Sequence, residues 1–236
     1  MTPDTLFKVM EATWPPAATK RVGPWCIRDG QGGGKRVSAT TADDHWQDED
    51  IPLAEAAMQD LGQPDLFLIR DRDVMLDQAL QARGYRIVDP VVAYAAPCAH
   101  LATPAAPLMS AFAHWPPLAI CDQLWLEGDI GPARRAVMNR ATGIKTAILG
   151  RTNDRPSGVA FVSIHKGIAM LHALEVSKSA RRQGSAHNIL RAAAGWAQEN
   201  GANTMSLVVT VANVPARALY TSLHMQVVGH YHYRQR

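Results

Sequence analysis

A mixed α/β sheet flanked by helices is the fold class this sequence predicts, on three observations. Beyond Lys145, apolar runs of strand length alternate with amphipathic runs of helix length. In "SAHNILRAAAGWAQEN", Ala186, Ile189, Leu190, Ala193 and Ala197 recur at the spacing of one helical face. In "TMSLVVTV", Met205, Leu207, Val209 and Val211 alternate along one side of a strand.

In chain order, "PWCIR" and "KRVSAT" read as two short strands, with the glycines from Gly30 to Gly34 as the hairpin between them. Glycines followed by Lys35 suggest a phosphate-cradling loop, which requires G-x-x-x-x-G-K-[ST]. Here Gly30 to Gly34 is one residue too tight, and Arg36 stands where the hydroxyl belongs. After the acidic "ADDHWQDED" comes a helix, "PLAEAAMQDL". Strand, helix, glycine-aromatic and strand follow in "DLFLIRDRDVMLDQALQARGYRIVDPVVAY". The alanine- and proline-rich segment from Ala95 to Pro117 reads as a connector with one helical turn. A helix near "GPARRAVMNRA" leads to strands "KTAILGR", "GVAFVSIH" and "IAMLHALEV". The helix opening near Gly184, strand "TMSLVVTV", helix "PARALYTSLH" and strand "MQVVGHYHYR" complete the pattern.

A chain of 236 residues can bury a sizeable core as one large domain or two small ones. With 47% hydrophobic and 19% charged residues, its composition is that of a globular protein. A net charge of +3 is too small to imply a nucleic-acid partner. The opening "MTPDTLFKVMEATWPP" lacks the basic start, apolar run and cleavage site of a signal peptide, and no later run reaches membrane-spanning length. The expectation is a cytoplasmic protein with no membrane partner; its oligomeric state is open. Cys26, Cys98 and Cys121 are odd in number and lack C-x-x-C spacing, so buried free thiols are expected, with no disulfide or metal site.

The stretch "EVSKSARRQGSAHNIL" carries Lys178, Arg181, Arg182 and Arg191, and no acidic residue lies between Glu175 and Glu199. The first turn of a helix bears partial positive charge and favours Asp or Glu, so basic residues there call for an anion from outside. Gly184 lets that anion approach the backbone, and the small Ser185 and Ala186 keep the way clear.

Val176, Arg181, Gly184 and Ala186 together reproduce V-x(4)-[RQ]-x-x-G-x-[GA], and the segment resembles the pyrophosphate-binding loop of the GNAT superfamily of acyl-coenzyme A transferases. Downstream, "NVPARALYTSLH" resembles that superfamily's N-x-x-A-x-x-L-Y-x-x-x-G-F, with Asn213, Ala216, Leu219 and Tyr220 in place and His224-Met225 replacing Gly-Phe. The resemblance covers roughly residues 106 to 236 and implies a GNAT fold. It also implies that the backbone N–H groups of Arg182, Gln183, Gly184, Ser185 and Ala186 bind the pyrophosphate of coenzyme A, with Arg181 anchoring the loop. The strand from Leu174 to Val176 would pair with the pantetheine arm, and Asn213 would contact the same arm.

The first half repeats the order strand, helix, strand. Setting Gly84-Tyr85 against His224-Met225 places Leu80 opposite Tyr220 and Ile87 opposite Val227. Residues 1–100 therefore resemble a partial GNAT domain ahead of a catalytic one at 106–236. Asp43, Asp44, Asp48, Glu49 and Asp50, where its phosphate loop would be, repel a pyrophosphate, so this half is expected to shape the substrate site without a cofactor of its own.

An amine acceptor must lose a proton to attack a thioester, while the departing thiolate gains one. The resemblance places Tyr220 near the thioester sulfur, which makes it the candidate acid. His172 and Glu175 are three apart, so on a regular strand they face opposite sides, with His172 sharing the face of Leu174 and Val176. "LHALEV" followed by "RRQG" resembles the arylalkylamine branch, where a histidine at the position of His172 relays protons. The glutamate some relatives carry twelve residues before the tyrosine is Val208 here. His230 and His232 have same-face spacing but no visible third ligand, and read as a solvated edge strand. The resemblance implies an N-acetyltransferase moving acetyl from acetyl-CoA to a primary amine of a small molecule or peptide, with oxyanion stabilisation from a backbone N–H near Val176. The alternatives are a tandem-GNAT transferase using aminoacyl-tRNA, and a non-catalytic acyl-CoA sensor.

Overall fold

The apolar spacings read along the chain become the buried faces of a mixed sheet in the computed structural model, which describes all 236 residues. The first half forms α1 (Pro3–Thr13), β1 (Ala18–Val22), β2 (Trp25–Asp29), α2 (Lys35–Ser38), β3 (Thr41–Ala42), α3 (Ile51–Asp60), β4 (Leu66–Arg70), α4 (Val74–Ala82) and β5 (Arg86–Pro97). A single turn, α5 (Cys98–Leu101), leads to β6 (Ala111–His114), α6 (Ala119–Glu127), α7 (Pro132–Arg140), β7 (Lys145–Thr152), β8 (Arg155–His165) and β9 (Ile168–Val176). Then come α8 (Ser185–Glu199), β10 (Thr204–Thr210), α9 (Val214–Ser222) and β11 (Gln226–Gln235).

Strands β1, β2 and β3 make a small sheet, and the other eight make one sheet in the order β4-β11-β5-β10-β9-β8-β7-β6. Only β9 and β10 are parallel neighbours. Ile189, Leu190, Ala193 and Ala197 of α8 are fully buried on one face of this sheet, with Met205, Leu207 and Val209 beneath them. The face pattern predicted for α8 and β10 is the one that packs, except that Ala186 at the start of α8 is only half-buried and Val211 lies beyond β10 and is exposed.

The halves interlock. The order β4-β11-β5-β10 reads the same when β4–α4–β5 and β10–α9–β11 exchange places. Both helices also end alike: Tyr85 N–H donates to Leu80 O (3.0 Å) and Met225 N–H to Tyr220 O (3.1 Å). Gly84 (φ 86°) and His224 (φ 53°) both take the left-handed conformation at the helix end. A non-glycine residue pays for that conformation through its Cβ. His224→Gly is therefore expected to raise stability by up to about 1 kcal/mol in urea unfolding, the gain being reduced by the entropy of glycine.

Several expectations are corrected. Lys35–Ser38 is a helical turn and not a strand, so the glycine-rich stretch is no hairpin. Gly34 (φ 98°) caps that turn, and a Cβ on Gly33 would lie 2.6 Å from Val137 of α7, so the glycines let the first half pack against the second. The segment from Ala95 to Pro117 is only partly a connector. Ala95 pairs with both Ser206 and Gln226 inside the sheet, and Ala111–His114 pair with β7. Alanine there gives close packing, which composition alone cannot distinguish from a linker. β11 is an interior strand between β4 and β5, and His232 Nε2 is 2.7 Å from Asp77 Oδ1, so the His230/His232 pair is not on an edge. Cys98 and Cys121 are buried and Cys26 half-buried, all as free thiols. No helix is long and apolar enough to cross a membrane.

Candidate active site

The basic loop folds as a clamp at the C-terminal end of β9. Arg181 Nε donates to Val176 O and its Nη2 to Glu175 Oε1, both at 3.1 Å, which ties the loop to the strand it leaves. Arg182 (φ 64°) and Gly184 (φ 84°) are both left-handed, a geometry that turns successive amides toward a common point. The first hydrogen bond of α8 runs from Asn188 N–H to Gly184 O (3.1 Å), so the amides of Ser185, Ala186 and His187 have no helical partner. No acidic residue occupies that turn. Gln183 Nε2 is held by Ser179 O (2.8 Å) and Ser185 Oγ by Thr152 Oγ1 (2.7 Å), so these two residues offer backbone, not side chains, to an anion.

Next to this loop the sheet opens. β9 and β10 pair only where Ile168–Leu171 meet Thr204–Leu207. Beyond that, His172 to Val176 and Val208 to Thr210 turn unpaired backbone edges toward one another. Ala173 (φ 51°) causes part of this, because it forms a bulge: Phe161 pairs with His172 but Val159 with Glu175, two steps of β8 against three of β9. The bulge inverts the alternation, so His172 and Glu175 face the same side, and Leu174 and Val176 turn to the side of α8. The regular-strand expectation, which put His172 with Leu174 and Val176, is corrected on this point. Trp125, fully buried, donates from Nε1 to Ala173 O at 2.9 Å and so holds the bulge from α6.

The opening is the mouth of a cleft of about 370 Å³ whose walls include Leu174, Asn213, Tyr220 and His172. Asn213 caps α9, its side chain accepting from Ala216 N–H at 3.2 Å. Tyr220 projects from α9 onto Tyr94 (ring centroids 5.6 Å apart), and burial raises its pKa above the ordinary phenol value. It is therefore a neutral donor throughout the physiological range.

His172 is placed differently from a free base. It is buried, stacked on Trp14 (4.9 Å), and hydrogen-bonded at both nitrogens: Nδ1 to Arg36 Nη1 and Nε2 to Thr13 Oγ1, each at 2.9 Å. A guanidinium can only donate, so Nδ1 accepts and Nε2 carries the proton. Thr13 Oγ1 accepts from it and donates its own O–H to Val9 O (2.7 Å). Burial, and then the charge of Arg36, hold the ring well below the usual histidine pKa. Its only lone pair is spent on Arg36, which makes it a positioning group in this arrangement. A neutral ring required by the fold loses stability as pH falls below the unfolded histidine value of about 6.5, and keeps it in full above that. His172→Gln should accordingly flatten the decline of melting temperature between pH 7 and pH 5.

Thr13, Trp14 and Arg36 entered no sequence reading of the site. They lie at the end of α1, on the residue that caps it and in α2, far from either motif, and the one signal pointing to them was the glycine run, which brings Arg36 to the cleft wall together with Gly33, Gly34 and Lys35.

Residues 122–225 match the model of the acetyltransferase (GNAT) family. This part of the chain is a GNAT acetyltransferase domain. The uncharacterized N-acetyltransferase YobR of Bacillus subtilis (strain 168) is 27% identical over 237 residues, covering 96% of each chain. A GCN5-related N-acetyltransferase from Kribbella flavida superposes with a TM-score of 0.76 at 17% identity, over 100% of this chain and 96% of that one. A tandem GNAT protein from the clavulanic acid biosynthesis pathway superposes with a TM-score of 0.59 at 13% identity, over 99% of this chain and 88% of its own. The GNAT domain thus contains both sequence motifs, the opened strand pair and Tyr220, whereas Thr13, Trp14 and Arg36 come from outside the matched residues.

Proposed function

We propose that this protein is an N-acetyltransferase that moves the acetyl group of acetyl-CoA directly to a primary amine of a small molecule or peptide, in a ternary complex. The observation that carries the reading is an acid-free turn of unpaired amides beside an opened strand edge, with a neutral phenol on the wall of the same cleft. In this reading the amides of Arg182 to Ala186 hold the pyrophosphate, Arg181 fixes their loop, and the edge from Leu174 to Val176 pairs with the pantetheine arm beside Asn213. The amine nitrogen forms its bond to the acetyl carbon as the carbon–sulfur bond breaks. Tyr220 gives its proton to the leaving thiolate, and an N–H near Val176 stabilises the oxyanion. His172 orients Arg36, and the acceptor's proton leaves to solvent in the cleft. The three free thiols suit the reducing cytoplasm.

The halves form a tandem, with residues 1–100 a partial GNAT-like unit and 106–236 the catalytic one. The shared helix endings of Leu80–Tyr85 and Tyr220–Met225 support this, and so does the likeness to a tandem GNAT protein. One molecule of coenzyme A is expected per chain by calorimetry; two would contradict the division of roles. A charge-assisted hydrogen bond is worth about 1.5 to 3 kcal/mol, so Arg181→Glu should weaken coenzyme A binding about tenfold or more. Unchanged affinity in that titration would remove the loop from the cofactor site, and absence of thiol release with every amine offered would leave a sensor.

A further inference from the structure

The charged groups of the cleft are Lys35, Arg36, Asp89 and Arg134. Lys35 Nζ is 2.9 Å from Asp89 Oδ2, so those two charges offset each other. Arg36 and Arg134 have no carboxylate partner. The Nε of Arg36 is buried and without any acceptor, while its Nη1 is committed to His172 Nδ1. The same guanidinium lies over the Trp14 ring at 5.8 Å. Across the wall formed by Trp14 and Arg36 is a second cavity of about 370 Å³, where Arg28 is paired with Glu11, Arg70 with Asp73, and Arg72 with Asp4. The carboxylates nearby are thus already used.

With Nε enclosed by the protein and Nη1 taken by His172, Nη2 is the part of this half-buried guanidinium left without a protein acceptor, and a carboxylate oxygen is the partner that suits its charge. The cleft also has no free carboxylate to attract an ammonium, and its net positive charge opposes polycations. Resting on the N-acetyltransferase reading above, we infer that the acceptor is an amine that also bears a carboxylate, as in an α-amino acid or a peptide end, with Arg36 as the carboxylate anchor and Arg134 as a secondary one. Polyamines and aminoglycoside-like polycations are disfavoured.

The test offers acetyl-CoA with matched pairs: phenylalanine and phenethylamine, leucine and isoamylamine, lysine and cadaverine, with spermidine as the polycation. Thiol release should show at least a tenfold higher kcat/KM for the acid-bearing member of a pair. Arg36→Met should erase that preference through acceptor KM while acetyl-CoA KM stays constant, and Arg36→Lys should restore part of it. Arg134→Gln, on an exposed helix face, should lose a smaller part and keeps the test open if Arg36→Met melts early. Equal or better rates with the decarboxylated amines or spermidine would overturn the inference and leave the acetyltransferase reading standing. No thiol release from any amine would count against that reading, and product binding then decides the inference alone. N-acetylphenylalanine should bind the coenzyme A complex at least tenfold more tightly than N-acetylphenethylamine, and equal binding would overturn it.

Discussion

Tyr220→Phe should lower turnover at least a hundredfold while leaving coenzyme A affinity within a factor of about two. The loss follows from the role: a proton delivered to the thiolate is needed mainly in the transition state, and general acid catalysis is worth about 10²- to 10⁴-fold. Removing one hydroxyl keeps the ring against Tyr94 and the α8 side of the sheet, so the fold should persist. The measurement is single-turnover acetylation of a cognate amine, with coenzyme A titrated separately by calorimetry. Full turnover under chemistry-limited conditions would hand proton delivery to water.

Trp125→Ala should cost about 3 to 5 kcal/mol in urea unfolding, because it removes a fully buried indole from the cluster that includes Val159 and Phe161. Trp125→Phe separates packing from hydrogen bonding. It keeps most of the ring but leaves Ala173 O without its donor, at about 1 to 3 kcal/mol. If the bulge then relaxes toward a regular strand, Leu174 and Val176 change sides and the edge beside the basic loop is lost. Coenzyme A affinity should therefore fall with Trp125→Phe even though Trp125 is not among the residues expected to touch the cofactor. Wild-type affinity in that variant would separate the bulge from the cofactor edge.

The shape of the basic loop was legible because its chemistry is local: a missing acid, a glycine and small residues within one turn leave their mark in consecutive positions. The strand–helix–strand repeat was legible for the same reason, since each helix and the turn that closes it are contiguous in sequence. The bulge at Ala173 was not. Alanine gives no sign of a left-handed backbone, and the hydrogen bond that holds the bulge comes from Trp125 on a distant helix. The surroundings of His172 were not legible on the same ground, because both partners of its ring nitrogens, Arg36 and Thr13, are brought in from the other half. α1 and α6 drew no expectation, and the first of them supplies Trp14's neighbourhood to the site. Glycines between two readable strands suggested a hairpin, although their use is to let two halves approach.

The interleaved strand order also sets a timetable for synthesis. β11 is made after both strands it separates, β4 and β5, so until Gln226–Gln235 emerge the nascent chain holds two strands with a gap between them. β4 and β5 are joined by a short helical crossover and present facing unpaired edges to the cell during that interval, a state prone to wrong pairing. Neither half can finish its own sheet first, so folding has to wait for long-range closure and should be slow for a chain of this size. Residues His232 and Arg234 complete it by docking on Asp77 at 2.7 Å each, side chains made late in synthesis locking a helix made well before them.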